Sequence, residues 1–154
     1  MAVPTAGPTH QAGQEWLLSA APDPAPVLRD WELGNPGTIP SGKLWRVVEA
    51  PLVASVAAIQ RIGPDRIGPV AGDVYRDLAW WLVPPDLGDE IDDVRVFRVH
   101  PAGWPLRCPP VLHSLQGRWW IERPDGTGHL TDPVLLAAAF GPGGGFRLPS
   151  EERS

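Results

Sequence analysis

The chain has 154 residues, 43% hydrophobic and 20% charged, which is one globular domain's worth of sequence and enough to bury a core. Its net charge of −5 argues against gripping nucleic acid along a broad basic surface, because phosphate neutralisation supplies most of that affinity. The single cysteine, Cys108, excludes an intramolecular disulfide and fits a reducing compartment, and no stretch approaches the roughly 18 apolar residues of a membrane span.

Residues 1–8 lack the positive and apolar regions of a secretory signal, so the cytoplasm is the expected location. Twenty prolines and seventeen glycines predict short elements joined by many turns. Twelve arginines accompany one lysine, Lys43, a ratio that reflects codon bias in a high-GC genome and carries no functional weight.

Residues 1–43 read as a Pro/Gly-rich, partly disordered segment, with a short helix over 14–20 carrying Trp16, Leu17 and Leu18. A single domain is expected over 44–140. Trp45 to Glu49 is rich in β-formers and reads as a strand, and Pro51 suits the first turn of a helix. Leu52, Val53, Val56, Ile59 and Ile62 then recur at helical spacing until Gly63-Pro64 ends the stripe. Pro69 to Ala71 predicts a brief strand. Leu78 to Val83 is continuously apolar and stopped by Pro84-Pro85, the pattern of a central strand covered on both faces. Residues 86–93 form an acidic loop, and 94–99, 104–107 and 118–122 are expected as strands. Thr131-Asp132-Pro133 starts a last helix, with Thr131 or Asp132 capping, and it ends at Gly141-Pro142. Residues 141–154 are expected to be a flexible tail. The fold class is therefore α+β: a small mixed sheet of about five strands, a helix on one face, and a C-terminal helix near an edge.

No pattern of residues specifies a reaction. Asp73 and Asp77 flank Tyr75 and could face one cation, but a capped turn with solvated carboxylates is the better reading. Asp86, Asp89, Glu90, Asp92 and Asp93 lack the spacing of a calcium loop and read as a solvated loop. Cys108 and His113 have the residue types of a thiolate pair, yet no helix N-terminus or third group activates the thiol, so Cys108 reads as buried and structural. His10, His100, His113 and His129 are too dispersed for a zinc site. Gly143 to Gly145 lacks the Lys-Ser/Thr of a phosphate-binding loop. Eight tryptophans are unusual. Trp80-Trp81 and Trp119-Trp120 are adjacent pairs, so on strands one of each pair points to either face. Exposed, those indoles make a binding patch; covered, they are core.

Gly103-Trp104-Pro105-Leu106-Arg107-Cys108-Pro109-Pro110-Val111-Leu112-His113, followed by Gly117-Arg118-Trp119-Trp120, resembles part of the N-terminal domain of bifunctional DNA primase/polymerases (prim-pol). There a Gly-aromatic strand meets Pro-Pro, a nearby His, and a Gly followed by an aromatic strand. Leu78 to Pro84 looks like that family's aromatic strand ending in Val-Pro, and short proteins of high-GC bacteria share the layout. The resemblance covers 44–140 in outline and 103–120 in detail. It implies a prim-pol-like fold, but departs from the family's chemistry: no strand-borne Asp-x-Asp precedes Asp73, and Tyr75-Arg76-Asp77 stands where a His precedes the aromatic strand.

The expectation is accordingly a non-catalytic binding module derived from a prim-pol-like fold, without cofactor or metal, and with another protein as partner. Its surface would draw on Trp81, Trp104, Arg107, Pro109, Pro110, His113, Arg118 and Trp120. Two alternatives remain open. A nucleotidyl-transfer enzyme would need Asp73, Asp77 and Asp93 to converge around Mg²⁺; a non-catalytic nucleic-acid binder would need a basic groove beside exposed tryptophan.

Overall fold

The structure is a computed structural model that describes residues 8–140. Helices α1 (Pro8–Ser19) and α2 (Pro24–Glu32) lead into strands β1 (Gly37–Pro40) and β2 (Arg46–Pro51). Helix α3 (Leu52–Ile62), strands β3 (Val70–Asp73), β4 (Leu78–Val83), β5 (Arg98–Val99), β6 (Pro105–Cys108) and β7 (Arg118–Glu122), and helix α4 (Pro133–Phe140) follow. The architecture is α+β, with a five-stranded sheet in the order β5-β2-β4-β3-β7 and a two-stranded ribbon of β1 and β6. Every pairing is antiparallel, so the sheet is not mixed. The reason is topological: β2 and β3 run the same way across the α3 crossover, but β4 lies between them, antiparallel to both.

Strand alternation divides the core between the two faces of this sheet. One face gathers Val48, Ala50, Val70, Ala79, Trp81 and Val83 under α3 and α4. Trp81 is fully buried there; its Nε1 donates to Ser55 Oγ at 3.0 Å and its ring meets Phe140 edge-on. Helix α4 thus shares the face of α3. The other face gathers Val47, Ala71, Trp80, Leu82 and Trp120 under α1, α2 and the ribbon, through Leu17, Val27, Ile39, Leu106 and Cys108. Both faces of the Trp80-Trp81 pair are therefore covered. A buried indole removes about 150–250 Å² from water, so these rings carry much of the core.

Residues 8–40 are more ordered than their composition suggests. Pro24 and Pro26 fall in the first turn of α2, where no intrahelical N–H is required, and Asp23 caps it by accepting from Ala25 N at 3.1 Å. Val27 packs against Gly37, where any side chain would collide with it, so α2 lies directly on β1. The strand expected over 94–99 shrinks to Arg98–Val99, because 86–97 folds as successive short turns. Those turns bury Leu87, Ile91 and Val94 under the α3 face while Asp86, Asp89, Glu90, Asp92 and Asp93 stay exposed. The expected flexible tail, 141–154, lies outside the described residues. No helix among the described residues is long and apolar enough to cross a membrane.

Candidate functional site

Where β3 turns into β4, the ribbon leaves a cleft over the end of Trp80. The turn itself is built by Asp73. Its Oδ1 accepts from Tyr75 N and Arg76 N at 2.9 and 3.0 Å, and Asp77 closes the turn with φ +61° and a bond from its N–H to Asp73 O. Asx geometry and tolerance of the left-handed region explain aspartate at both positions. The other oxygen, Oδ2, accepts from Arg118 Nε and Nη2 at 3.2 and 3.0 Å. Arg118 also donates through Nη1 to Arg107 O at 2.6 Å, and its guanidinium lies 4.2 Å from the centre of the Trp80 ring. Both Asp73 and Arg118 are buried.

Two cavities of about 210 and 340 Å³ share Arg76, Arg107 and Arg118 in their walls. The smaller adds Asp73, Tyr75 and Gln116; the larger adds Thr38, Glu49, Trp80 and Trp104. Arg76 and Arg107 are exposed, and neither guanidinium has a hydrogen-bond or ion-pair partner among the described residues. Two exposed arginines thus stand beside a third that is paired with a single buried carboxylate. Burial draws Arg118 below its ordinary pKa; Asp73 opposes this by hydrogen bond and charge, and the like charges of Arg76 and Arg107 add to it. The cluster is a local positive field in a negative chain, and an anion entering it relieves repulsion between Arg76, Arg107 and Arg118.

The opposite wall is polar in a different sense. Glu49, in register with Trp80 across the β2–β4 pair, accepts through Oε1 from Trp80 Nε1 at 3.0 Å and from His100 Nε2 at 2.9 Å. His100 stacks on Trp104 with ring centres 3.6 Å apart and planes 5° from parallel. Trp104 is fixed from behind by the chain: its carbonyl accepts from Ser41 N, and Gly103 N donates to Ser41 O. Trp104, half-buried and with one ring face covered by His100, lines the larger cavity beside the arginines.

The residues singled out from the sequence fall into three places rather than one surface. Trp104, Arg107 and Arg118 line the arginine cleft. His113 and Trp120 line a separate cavity of about 380 Å³ beyond β7, with Val74, Val111, Trp119 and Arg123. Trp81, Pro109 and Pro110 are buried in the core, where Pro109 O accepts from Trp120 Nε1 at 2.8 Å. The aromatic and Pro-Pro residues consequently do not form a joint docking face; alternation and side-chain burial separate them.

The carboxylates of the alternative site do not meet either. Asp73 is committed to Arg118 and its turn, Asp77 is exposed at the end of that turn, and Asp93 is exposed in the 86–97 turns. No group of three His, Cys, Asp or Glu among the described residues is placed to hold a metal ion. Cys108 is fully buried, and burial pushes its thiol well above the ordinary range, with only partial opposition from Arg118. Glu49, Arg76 and His100 are site residues that sequence reasoning missed, His100 having been weighed only as a zinc ligand, while Trp80 was weighed only as one of the paired indoles. One signal was present for Glu49, a lone acid inside the apolar run Val47-Val48-Glu49-Ala50.

No family model and no solved structure matches the chain. A stretch of 60 residues is 49% identical to part of 4-diphosphocytidyl-2-C-methyl-D-erythritol kinase of Anaeromyxobacter dehalogenans, taking in 39% of this chain and 16% of the kinase. The chain thus spans a small part of that relative's length, and the similarity assigns it to no family.

Proposed function

We propose that this protein is a non-catalytic binding module, on a prim-pol-like scaffold without that family's metal-holding acids, whose ligand is a phosphate-bearing molecule seated in the arginine cleft. The observation that carries this reading is the convergence of Arg76, Arg107 and Arg118 beside Trp104, with two of the three guanidinium groups unpartnered among the described residues. Of the readings open from the sequence, the one with another protein as partner gives way here to one closer to the non-catalytic nucleic-acid binder, which needed a basic groove beside exposed tryptophan; here the arginines lie beside the half-buried Trp104. The overall charge of −5 limits the ligand to something compact, because a long polyanion would be repelled outside the cleft. The larger cavity, about 340 Å³, falls in the size range of small-ligand sites.

The chemistry expected of the site is capture. Arginine forks bind phosphate oxygens bidentately, and the indole wall accepts a flat ring. The test is calorimetric titration of the full chain with AMP, adenosine and inorganic pyrophosphate. AMP and pyrophosphate should bind while adenosine binds at least tenfold more weakly. Arg107→Ala and Arg76→Ala, both at exposed positions, should each weaken AMP on the order of tenfold, the scale of a lost charged hydrogen bond. Equal affinity for AMP and adenosine, or no binding of either phosphate compound at millimolar concentration, would refute the reading.

A further inference from the structure

Glu49 is not explained by phosphate capture. Both lone pairs of its Oε1 are taken, by the N–H groups of Trp80 and His100. Its Oε2 has no partner among the described residues, and it is not sealed off, since Trp45 Nε1 is the buried side-chain polar atom left unpaired. The side chain is 16% exposed and forms part of the wall of the larger cavity. Two fixed donors on one oxygen hold the carboxylate in place in the cavity wall, and its other oxygen is left as an acceptor.

Trp80 ties this acceptor to the arginines: the same indole that donates to Glu49 carries Arg118 over its ring. Acceptor and cation cluster are thus about one ring system apart, with the Trp104 wall beside them. A complementary ligand has a flat ring, N–H donors on one edge, and an anion beyond the other. Among nucleobases, guanine alone sets two N–H donors side by side on its pairing edge. Adenine and cytosine place an acceptor nitrogen next to their amino group, and uracil flanks its N–H with two carbonyls, so each brings an acceptor against the carboxylate.

We propose that the cleft takes a guanine nucleotide, with Glu49 as the base-reading residue, Trp104 as the stacking wall, and Arg76 and Arg107 on the phosphate. This rests on the phosphate-binding reading above and adds base selectivity to it. The test is calorimetric titration of the full chain with GMP, IMP, AMP and UMP. IMP keeps the ring N–H but lacks the 2-amino group, so it probes the paired donors without altering the protein. GMP should bind on the order of tenfold or more tighter than AMP and UMP, the scale of one good base-edge contact, with IMP between. Glu49→Gln should bring GMP down to the level of AMP, in protein whose melting transition remains cooperative. Equal binding of all four would overturn the base reading and leave phosphate capture standing; no phosphate-dependent binding would overturn both. A GMP preference untouched by Glu49→Gln would remove Glu49 from the role, and one shared fully by IMP would overturn the paired-donor reading.

Discussion

The Asp73–Arg118 pair supports both the fold and the cleft, and its worth can be worked out from its surroundings. Asp73→Asn is nearly isosteric and keeps an oxygen for the two turn N–H groups, so its main effect is to strip Arg118 of its counter-charge. Arg118 cannot shed its proton near neutral pH even with its pKa lowered, and at 7% exposure it cannot swing into water without vacating the Trp80 face. An uncompensated buried charge costs about 3–5 kcal/mol, and the nearby Arg76 and Arg107 favour the upper end. Arg118→Met fills much of the same volume and leaves Asp73 still accepting from the turn, so it should cost less. The double variant should lie near Arg118→Met alone, and more stable than Asp73→Asn, because the stranded charge is gone. Urea unfolding followed by tryptophan fluorescence at neutral pH measures all four corners of the cycle. If Asp73→Asn costs under about 1 kcal/mol, the pair behaves as a surface ion pair and the argument from burial fails.

Two buried indoles offer a paired comparison. Trp81 donates to Ser55, whereas Trp45 buries its N–H without a partner, so Trp45→Phe should cost about 1–3 kcal/mol less than Trp81→Phe in equilibrium unfolding; equal costs would mean the Trp45 N–H is satisfied in solution. Burial raises the pKa of Glu122, with Arg123 opposing, so the native state holds that proton more tightly than the unfolded chain. Stability should therefore fall as pH climbs from the ordinary glutamate value through the raised one, and Glu122→Gln, which has no such proton, should gain on the unaltered protein between pH 4 and pH 7; a gain running the other way would refute the shift.

Elements with one-dimensional signals were legible. Leu78 to Val83 announced β4 by six apolar residues ended by Pro84-Pro85, and the stripe from Leu52 to Ile62 announced α3 but not its buried face, which is Ala54, Ser55, Ala58 and Ile59 while Val53 and Val56 stay exposed. The Asp-Pro start recognised at Asp132-Pro133 recurs at Asp23-Pro24, where the density of prolines and glycines around it masked a capped helix. Val94 to Val99 shows how tertiary context overrides β-propensity: Val94 and Ile91 gain more by plugging the α3 face through turns than by extending an edge strand. Strand β1 had no local signature, since Gly37 to Pro40 becomes a strand only through β6, some seventy positions away. Nor could any local pattern reveal that β4 would insert between β2 and β3 and make the sheet wholly antiparallel.

The site was harder to read than the fold, for a physical reason. Motif reasoning looks for chemistry concentrated along the chain, as in the aromatic and Pro-Pro residues of 103–120, yet burial scattered those side chains among core, cleft and second cavity. The cleft instead takes Thr38 from β1, Glu49 from β2, Arg76 from a turn, Trp80 from β4, Trp104 and Arg107 around β6, and Arg118 from β7. Each is unremarkable alone: a strand acid, a turn arginine, a core indole. Their meaning comes from two pairings that only the folded register creates. Glu49 opposite Trp80 holds a carboxylate still at the cleft wall, and Asp73 opposite Arg118 holds a guanidinium still at its floor. Because the two anchors meet on the same Trp80 ring, an acceptor and a cation cluster are set at a fixed separation before any ligand arrives. Preorganisation of that kind reduces the ordering cost of binding. Keeping the buried Asp73–Arg118 pair for packing alone is costly, and the proposed binding site gives that cost a use.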